Sequence, residues 1–215
     1  DIFAQIIPKG SSVTIPSNLY GSKTFGAEDG EMVKTIDREF GRDVVVDSIN
    51  KAFMLGTSFL SRIGYTLSLQ DLNVSDKVRE LTAEIVAKAE KKTTEVIQEF
   101  ESGKMEADPG KTIDETRELR IMQILNGVVT EIGDVVKEHF PAEGNANQMI
   151  KSGSKGSLLN IAQMGCCVGQ QSLWNKRISF GYSDRTLSFF KKGDFSPEGR
   201  GFVKSSYFRG LKPTE

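Results

Sequence analysis

Residues 152–171, SGSKGSLLNIAQMGCCVGQQ, gather side chains able to handle a phosphorylated ligand. Lys155 stands between Gly153 and Gly156. Asn160 and Gln163 follow at helical spacing among Leu158, Leu159, Ile161 and Met164, and Gln170 and Gln171 close the stretch. A glycine-freed backbone with a lysine at a helix N-terminus can receive a phosphate, because unpaired N–H groups and the helix dipole favour anions there. The order is not that of a nucleotide-binding P-loop, which sets Lys directly before Ser or Thr after GxxxxG; here Gly156 intervenes. From these residues alone, a solvated lysine in a turn is the more ordinary reading.

Other chemistry has less support. His139 is the single histidine, and it sits at an expected helix C-terminus beside Phe140 and Pro141. There it complements the helix dipole; nothing in sequence marks it as the base of a nucleophile. Cys166 and Cys167 are adjacent, which suits neither an ordinary disulfide nor the CxxC bite of a metal site, and small buried cysteines pack well without reacting. A reduced, cytoplasmic setting fits them, or a nuclear one if the source is eukaryotic. The acidic residues are strewn over expected helix surfaces and are not grouped as a two-metal site requires.

The elements that position these residues are predominantly helical. Residues 2–15 mix β-branched residues with Pro8 and Gly10 and predict two short strands around a turn, followed by the glycine-rich loop YGSKTFGAEDG. A short helix is expected near Glu31 to Glu39. A longer one is expected from about Asp43 to Ile63, with Ile49, Phe53, Leu60 and Ile63 on one face and Gly64 closing it. Ser75 is placed to cap a helix from Asp76 to about Phe100, with the stripe Val78, Leu81, Ile85, Ala89, Val96 and Phe100. Thr112 and Glu115 form a T-x-x-E capping box that starts a second helix, running to about His139 on Met122, Leu125, Val129, Ile132 and Val136.

Two such helices joined by ESGKMEADPGK read as a long antiparallel hairpin. At ~1.5 Å per residue each arm is roughly 35 Å long, so its loop is expected to project from the body. After Gly153 the chain turns irregular and rich in glycine and aromatics, with one short helix after Pro197. The fold class is thus mainly α with a small N-terminal β portion. Its segments are 1–75, a hairpin 76–140 and a C-terminal 141–215.

The totals agree with a globular chain: 215 residues, 38% hydrophobic, 27% charged. A net charge of −1 gives no overall pull toward nucleic acid or anionic membrane, so contact with polyanions must be local. No apolar run approaches the ~18 residues of a membrane span. The chain opens at Asp1 without methionine and stops at LKPTE, where Pro213 has the look of a helix entry, so it reads as an excised fragment.

The run GSKGSLLNIAQMGCCVGQQS, then KRISFGYSDRTLSFFKKGDFSPEGRGFVKSSYFRGLKPTE, resembles the largest subunit of archaeal and eukaryotic multi-subunit DNA-dependent RNA polymerases. The same order of motifs occurs there: a GSxGS turn, an N-I-x-Q-M helix, VGQQS, KRI, R-T-L, S-P-E-x-x-G-F-V and G-L-x-P-x-E. The hairpin is similar to the family's funnel helices, whose loop carries a P-G-x-T turn matching Pro109, Gly110 and Thr112. Residues Gly64 to Asp71 resemble a segment of its pore region. Ser188 and Phe189 depart from the family's Pro and His, and Leu173-Trp174-Asn175 replaces a smaller, often glycine-containing linker. An archaeal source fits best, with a viral or eukaryotic paralogue as the alternative.

The resemblance implies a secondary-channel wall through which nucleoside triphosphates enter and the 3′ end of backtracked RNA leaves. Lys155, Asn160, Gln163, Gln170, Gln171, Lys176 and Arg177 would line the pore. Glu101, Lys104, Asp108 and Lys111 would dock a transcript-cleavage factor. Partners would be the remainder of the large subunit, the other polymerase subunits and, through the whole complex, template DNA, with no membrane. The aspartate triad that holds Mg²⁺ in the family has no counterpart here, so no catalytic residue, metal ligand or cofactor is assigned, and the segment alone is expected to be inactive. Two other classes compete: a free-standing helical-hairpin interaction module, and a small phosphate-binding enzyme lacking the acids and bases it would need.

Overall fold

Ser75 and Thr112 each open a long helix, as their side chains require. In the computed structural model, which describes residues 3–14, 21–26, 30–139 and 144–215, Ser75 Oγ accepts from Val78 N at 3.4 Å. Glu115 N donates to Thr112 Oγ1 at 3.2 Å while Glu115 Oε2 accepts from Thr112 N at 2.9 Å, a closed capping box. In chain order the described helices are α1 (Ser22–Phe25), α2 (Glu31–Phe40), α3 (Arg42–Ile63), α4 (Asp76–Glu101), α5 (Ile113–His139), α6 (Asn145–Ser152) and α7 (Leu158–Gly165). The strands are β1 (Gly169–Gln170), β2 (Ser172–Leu173), β3 (Lys176–Arg177) and β4 (Phe202–Val203). Pairing contacts divide the chain into two units, Asp1–Ser68 with Pro141–Gly156, and Leu69–Phe140 with Ser157–Glu215.

In the first unit α2 packs on α1 and α3, around Met32, Ile36 and Val45. The two N-terminal strands expected from residues 2–15 are not there among the described residues: Phe3–Ile6 is a 3-10 turn, with Ile6 buried where the turn meets α3. Packing of one apolar side chain prevails over β-propensity, which is weak without a partner strand. The turn at Pro8 and Gly10 does form, closed by Ser11 N to Pro8 O at 3.2 Å. Of the loop 20–30, the described part holds the single helical turn α1. Tyr65 Oη donates to Asn145 O at 2.6 Å and Asn145 Nδ2 to Thr66 O at 2.8 Å, which ties α6 to the chain leaving α3.

In the second unit α4 and α5 pair along their lengths, and α5 also carries α7 and β1. The face of α5 made by Ile121, Leu125, Val128, Ile132 and Val136 is fully buried. On α4 the buried line is Val78, Thr82, Val86, Ala89 and Thr93; Leu81, Ile85, Val96 and Phe100 lie half-buried beside it. A threonine can face a neighbouring helix because its hydroxyl turns back on its own turn, as Thr82 Oγ1 does to Val78 O at 2.7 Å. The helices end in a tip that does not project freely, contrary to expectation. Phe100, Arg117 and Glu118 near the tip bond to Phe195 and Arg177 of the C-terminal segment, and Met105 in the loop is buried.

The β portion lies in the C-terminal third. β1 pairs antiparallel with β4, Gly169 opposite Val203, and β2 with β3, Ser172 opposite Arg177. Gly169 has φ +87°, and a Cβ there would lie 2.2 Å from Val129 Cγ2 of α5, so glycine lets β1 close onto the helix. The short helix expected after Pro197 is a 3-10 turn, Glu198–Arg200.

Candidate functional site

The chemistry of the second unit centres on two buried arginines. Arg117 sits one turn ahead of Ile121 on the buried face of α5, and its guanidinium lies between two rings, 4.2 Å from the centroid of Phe100 and 3.8 Å from that of Phe195. A planar cation stacks this way because ring faces are negative and guanidinium is weakly hydrated. Arg177, on β3, donates from Nε to Glu118 Oε2 at 2.9 Å and from Nη2 to Glu118 Oε1 at 3.2 Å, a fork on one carboxylate. Its remaining N–H groups reach Phe195 O at 3.1 and 3.2 Å. Burial pushes the Glu118 carboxyl up, but the Arg177 hydrogen bonds and the charges of Arg177 and Arg117 outweigh it and hold the carboxyl below its usual value. Arg200 also lies over the Phe195 ring, 5.2 Å from its centroid.

These side chains floor a cleft of 510 Å³ between the start of α5 and β3, with Lys111 and Lys176 on its lining. Both lysines are exposed. Lys111 was expected at a docking loop and Lys176 and Arg177 at a pore; the fold brings all three to one place. Of these, Arg177 is a packed structural element, with its side chain 1% exposed. Among the remaining docking candidates, Asp108 lies 3.4 Å from Arg120, and Glu101 and Lys104 are exposed at the tip.

The amides fall elsewhere. Asn160 is the third residue of α7, where Oδ1 accepts from Ser157 N at 2.9 Å in a capping box, so it is a helix-start residue and not a mid-helix amide. Gln163 Nε2 donates to Val168 O at 3.2 Å, Gln170 Nε2 to Gln171 O at 2.7 Å and Arg200 O at 2.8 Å, and Gln171 Nε2 to Gly169 O at 3.5 Å. The Oε1 of Gln170 is buried with no hydrogen bond. Lys155 is exposed in the turn after α6 and belongs to the first unit.

The cysteines are free. Burial pushes the Cys167 thiol up to about 11, and its Sγ lies 3.2 Å from Val203 O; Cys166 is also raised, first by burial. Both are weak nucleophiles at neutral pH. His139 Nδ1 contacts Val135 O at 3.0 Å, a local helix-end bond; Phe140 and Pro141 beside it lie outside the described residues. Among the described residues no three of His, Cys, Asp and Glu gather as a metal-holding group, and no helix is long and apolar enough to cross a membrane.

Arg117, Glu118, Phe195 and Arg200 were missed by sequence reasoning. The available signal was an arginine at the head of the stripe 117, 121, 125, 128, 132, where a charge on an apolar line announces a buried partner.

The family model described as RNA polymerase Rpb1, domain 4, matches residues 97–203, the end of α4 through β4. Every candidate residue named above from the pore and docking sets lies in that stretch. The "DNA-directed RNA polymerase subunit Rpo1N" of Halococcus morrhuae is 40% identical over 190 residues, 88% of this chain and 54% of the relative. This chain belongs to the RNA polymerase largest-subunit family. Proteins of the same name from Methanothermobacter thermautotrophicus (strain Delta H) and Sulfolobus acidocaldarius are 36% identical over 200 residues and 34% over 217. They are covered over 23% and 25% of their length, against 93% and 98% of this chain. The chain thus spans about half the length of the first of these relatives and about a quarter of the other two. The archaeal type expected from the motifs agrees with these names.

Proposed function

We propose that this largest-subunit segment forms part of the wall of the polymerase's secondary channel, guiding triphosphate entry and backtracked RNA exit and offering a surface to a transcript-cleavage factor. The observation that carries the reading is the match of residues 97–203, which holds the Lys155 turn, α7, the glutamine pair and the hairpin tip in one homologous block. The anchored tip supports it further: Arg117 and Glu118 need Phe195 and Arg177, so the hairpin is not a self-sufficient module. In this reading the amides act chiefly by fixing backbone, and Lys155, like Lys176, is an exposed cation with no ion pair among the described residues. Mg²⁺ and the bond-making step belong to other parts of the enzyme, DNA is met through the whole complex, and the segment alone does not polymerise.

The test is elongation by the assembled polymerase against nucleotide concentration. A cation that attracts triphosphate equally in ground and transition states changes apparent affinity and not the maximal rate. Lys155→Ala should raise the half-saturating nucleotide concentration by a modest factor, less so at high salt, with saturated elongation nearly intact. A large loss of saturated rate at unchanged half-saturation would overturn the assignment of Lys155.

A further inference from the structure

The cleft between α5 and β3 is charged unevenly. Five cations line it, Lys111, Arg117, Lys176, Arg177 and Arg200, against three carboxylates, Asp114, Glu115 and Glu118. Glu118 is held by Arg177 and Arg117, and Glu115 by the Thr112 cap. Lys111, Lys176 and Arg200 form no ion pair among the described residues, though the two lysines, after the Thr112 hydrogen bonds, help hold the Glu115 carboxyl below its usual value, so the excess positive charge is spread over these three side chains. A second observation lies deeper. Arg117 is 4% exposed, and its Nη1, though 2.9 Å from Asp114 Oδ1, has no aligned hydrogen bond. That nitrogen is buried beside Asp114, so Arg117 acts as a fixed charge beneath the cleft and the exposed lysines are the groups within reach of a ligand. The remaining wall combines apolar Leu119, Met122 and Phe195 with the polar Asn175 and Ser179.

We propose that this cleft is a docking site for an acidic segment of a protein partner, whose carboxylates meet Lys111 and Lys176 and whose apolar side chain lies against Leu119 and Met122. The mixture of groups selects this occupant. A nucleic-acid strand brings a charge at every phosphate and would face Asp114, Glu115 and Glu118 as well as the lysines, whereas an acidic peptide carries separated carboxylates and an apolar anchor together. The chain's net charge of −1 supplies no field that would draw a polyanion otherwise. Two exposed aromatics flank the β3 part of the lining, Trp174 at the hairpin turn and Phe180, edge to face at 6.1 Å. The inference extends docking from the hairpin loop to the cleft and stands without the channel reading.

The experiment uses the 215-residue chain and fluorescence anisotropy of a labelled peptide, Asp-Glu-Asp-Leu-Phe-Asp-Glu-Asp, with its Lys-for-acid counterpart and oligouridylate as competing probes. The acidic peptide should bind in the micromolar range and weaken as salt rises. Lys111→Ala with Lys176→Ala should weaken it about tenfold or more, and Leu119→Ser several-fold at unchanged salt dependence. Both lysines are exposed, so the thermal midpoint of the lysine variant should match the parent. Absence of peptide binding, unchanged affinity in the lysine variant, or tighter binding of oligouridylate through the same lysines would each overturn the proposal. Because no nucleotide addition is measured, failure here leaves the Lys155 elongation test standing, and failure there leaves this one.

Discussion

α3 and α5 carry the same kind of amphipathic pattern and meet opposite ends. On α5 the apolar line ends in side chains such as Leu125 and Ile132, both 0% exposed, closed in by α4, α7 and β1. On α3, Phe53 is 69% exposed and Ile63 65%, with Val46, Ile49 and Leu60 on the same open face. Helical periodicity states that a face must be covered; it does not state by what. For α5 the cover lies within the chain. For α3 nothing among the described residues supplies it, and the chain is shorter than its relatives.

The contrast can be broken most directly by truncation. Leu125→Ala should destabilise the second unit by about 3 kcal/mol, since a fully buried leucine loses both its transfer free energy and its packing neighbours. Urea unfolding followed by circular dichroism measures this; a cost below about 1 kcal/mol would mean that the α5 face is not the core.

A smaller effect is expected where α5 meets the C-terminal segment. Arg177→Met should cost on the order of 2 kcal/mol at neutral pH, less than a wholly buried pair because Glu118 stays partly exposed. The folded Glu118 carboxyl lies below its unfolded value of 4.5, so its contribution is complete above that value and is lost as pH falls through the lower folded one. Unfolding free energies taken from about pH 6 to about pH 3 should therefore fall less steeply in Arg177→Met than in the parent. Parallel slopes would remove the Arg177–Glu118 pair from the account.

Thr112→Ala opens the α5 capping box and should cost about 1 kcal/mol, read from the same unfolding curves. Smallest of all is the effect of Phe53→Ser on the stability of the isolated chain, within about 0.5 kcal/mol because the ring is already in water. The same substitution should reduce self-association in sedimentation velocity, since exposed apolar faces drive it. A large loss of stability would show that α3 is covered after all.

The C-terminal third divides in the same way. Phe180, Phe189 and Tyr207 are well exposed and Phe208 more marginally so, in keeping with an irregular tail that has more rings than it can cover, yet Phe202 is among the most deeply buried side chains and Phe195 is half-buried against Arg117. Trp174 and Asn175 form the two-residue turn of β2 and β3 with φ of 50° and 58°. Asparagine tolerates that conformation; tryptophan adopts it at a cost of roughly 1 kcal/mol or more.

Sequence alone determined the longer helices α2 to α5, because their instructions are local, whereas the short α1 and α6 were not read from it. Ser75, the Thr112–Glu115 box and Gly64 act within one turn, and a stripe at three and four residues needs no knowledge of the partner. The motifs from GSKGS to the SPEGRGFV segment likewise located the family. What the sequence could not determine was which distant residues meet. The hairpin tip is anchored because Glu118 finds Arg177 and Arg117 finds Phe195 across dozens of residues, β1 pairs with β4 rather than with its neighbour, and residues 3–6 give up strand for a turn that buries Ile6. Such pairings depend on shape and charge complementarity between surfaces that exist only after the helices have packed, so only the tertiary structure decided them.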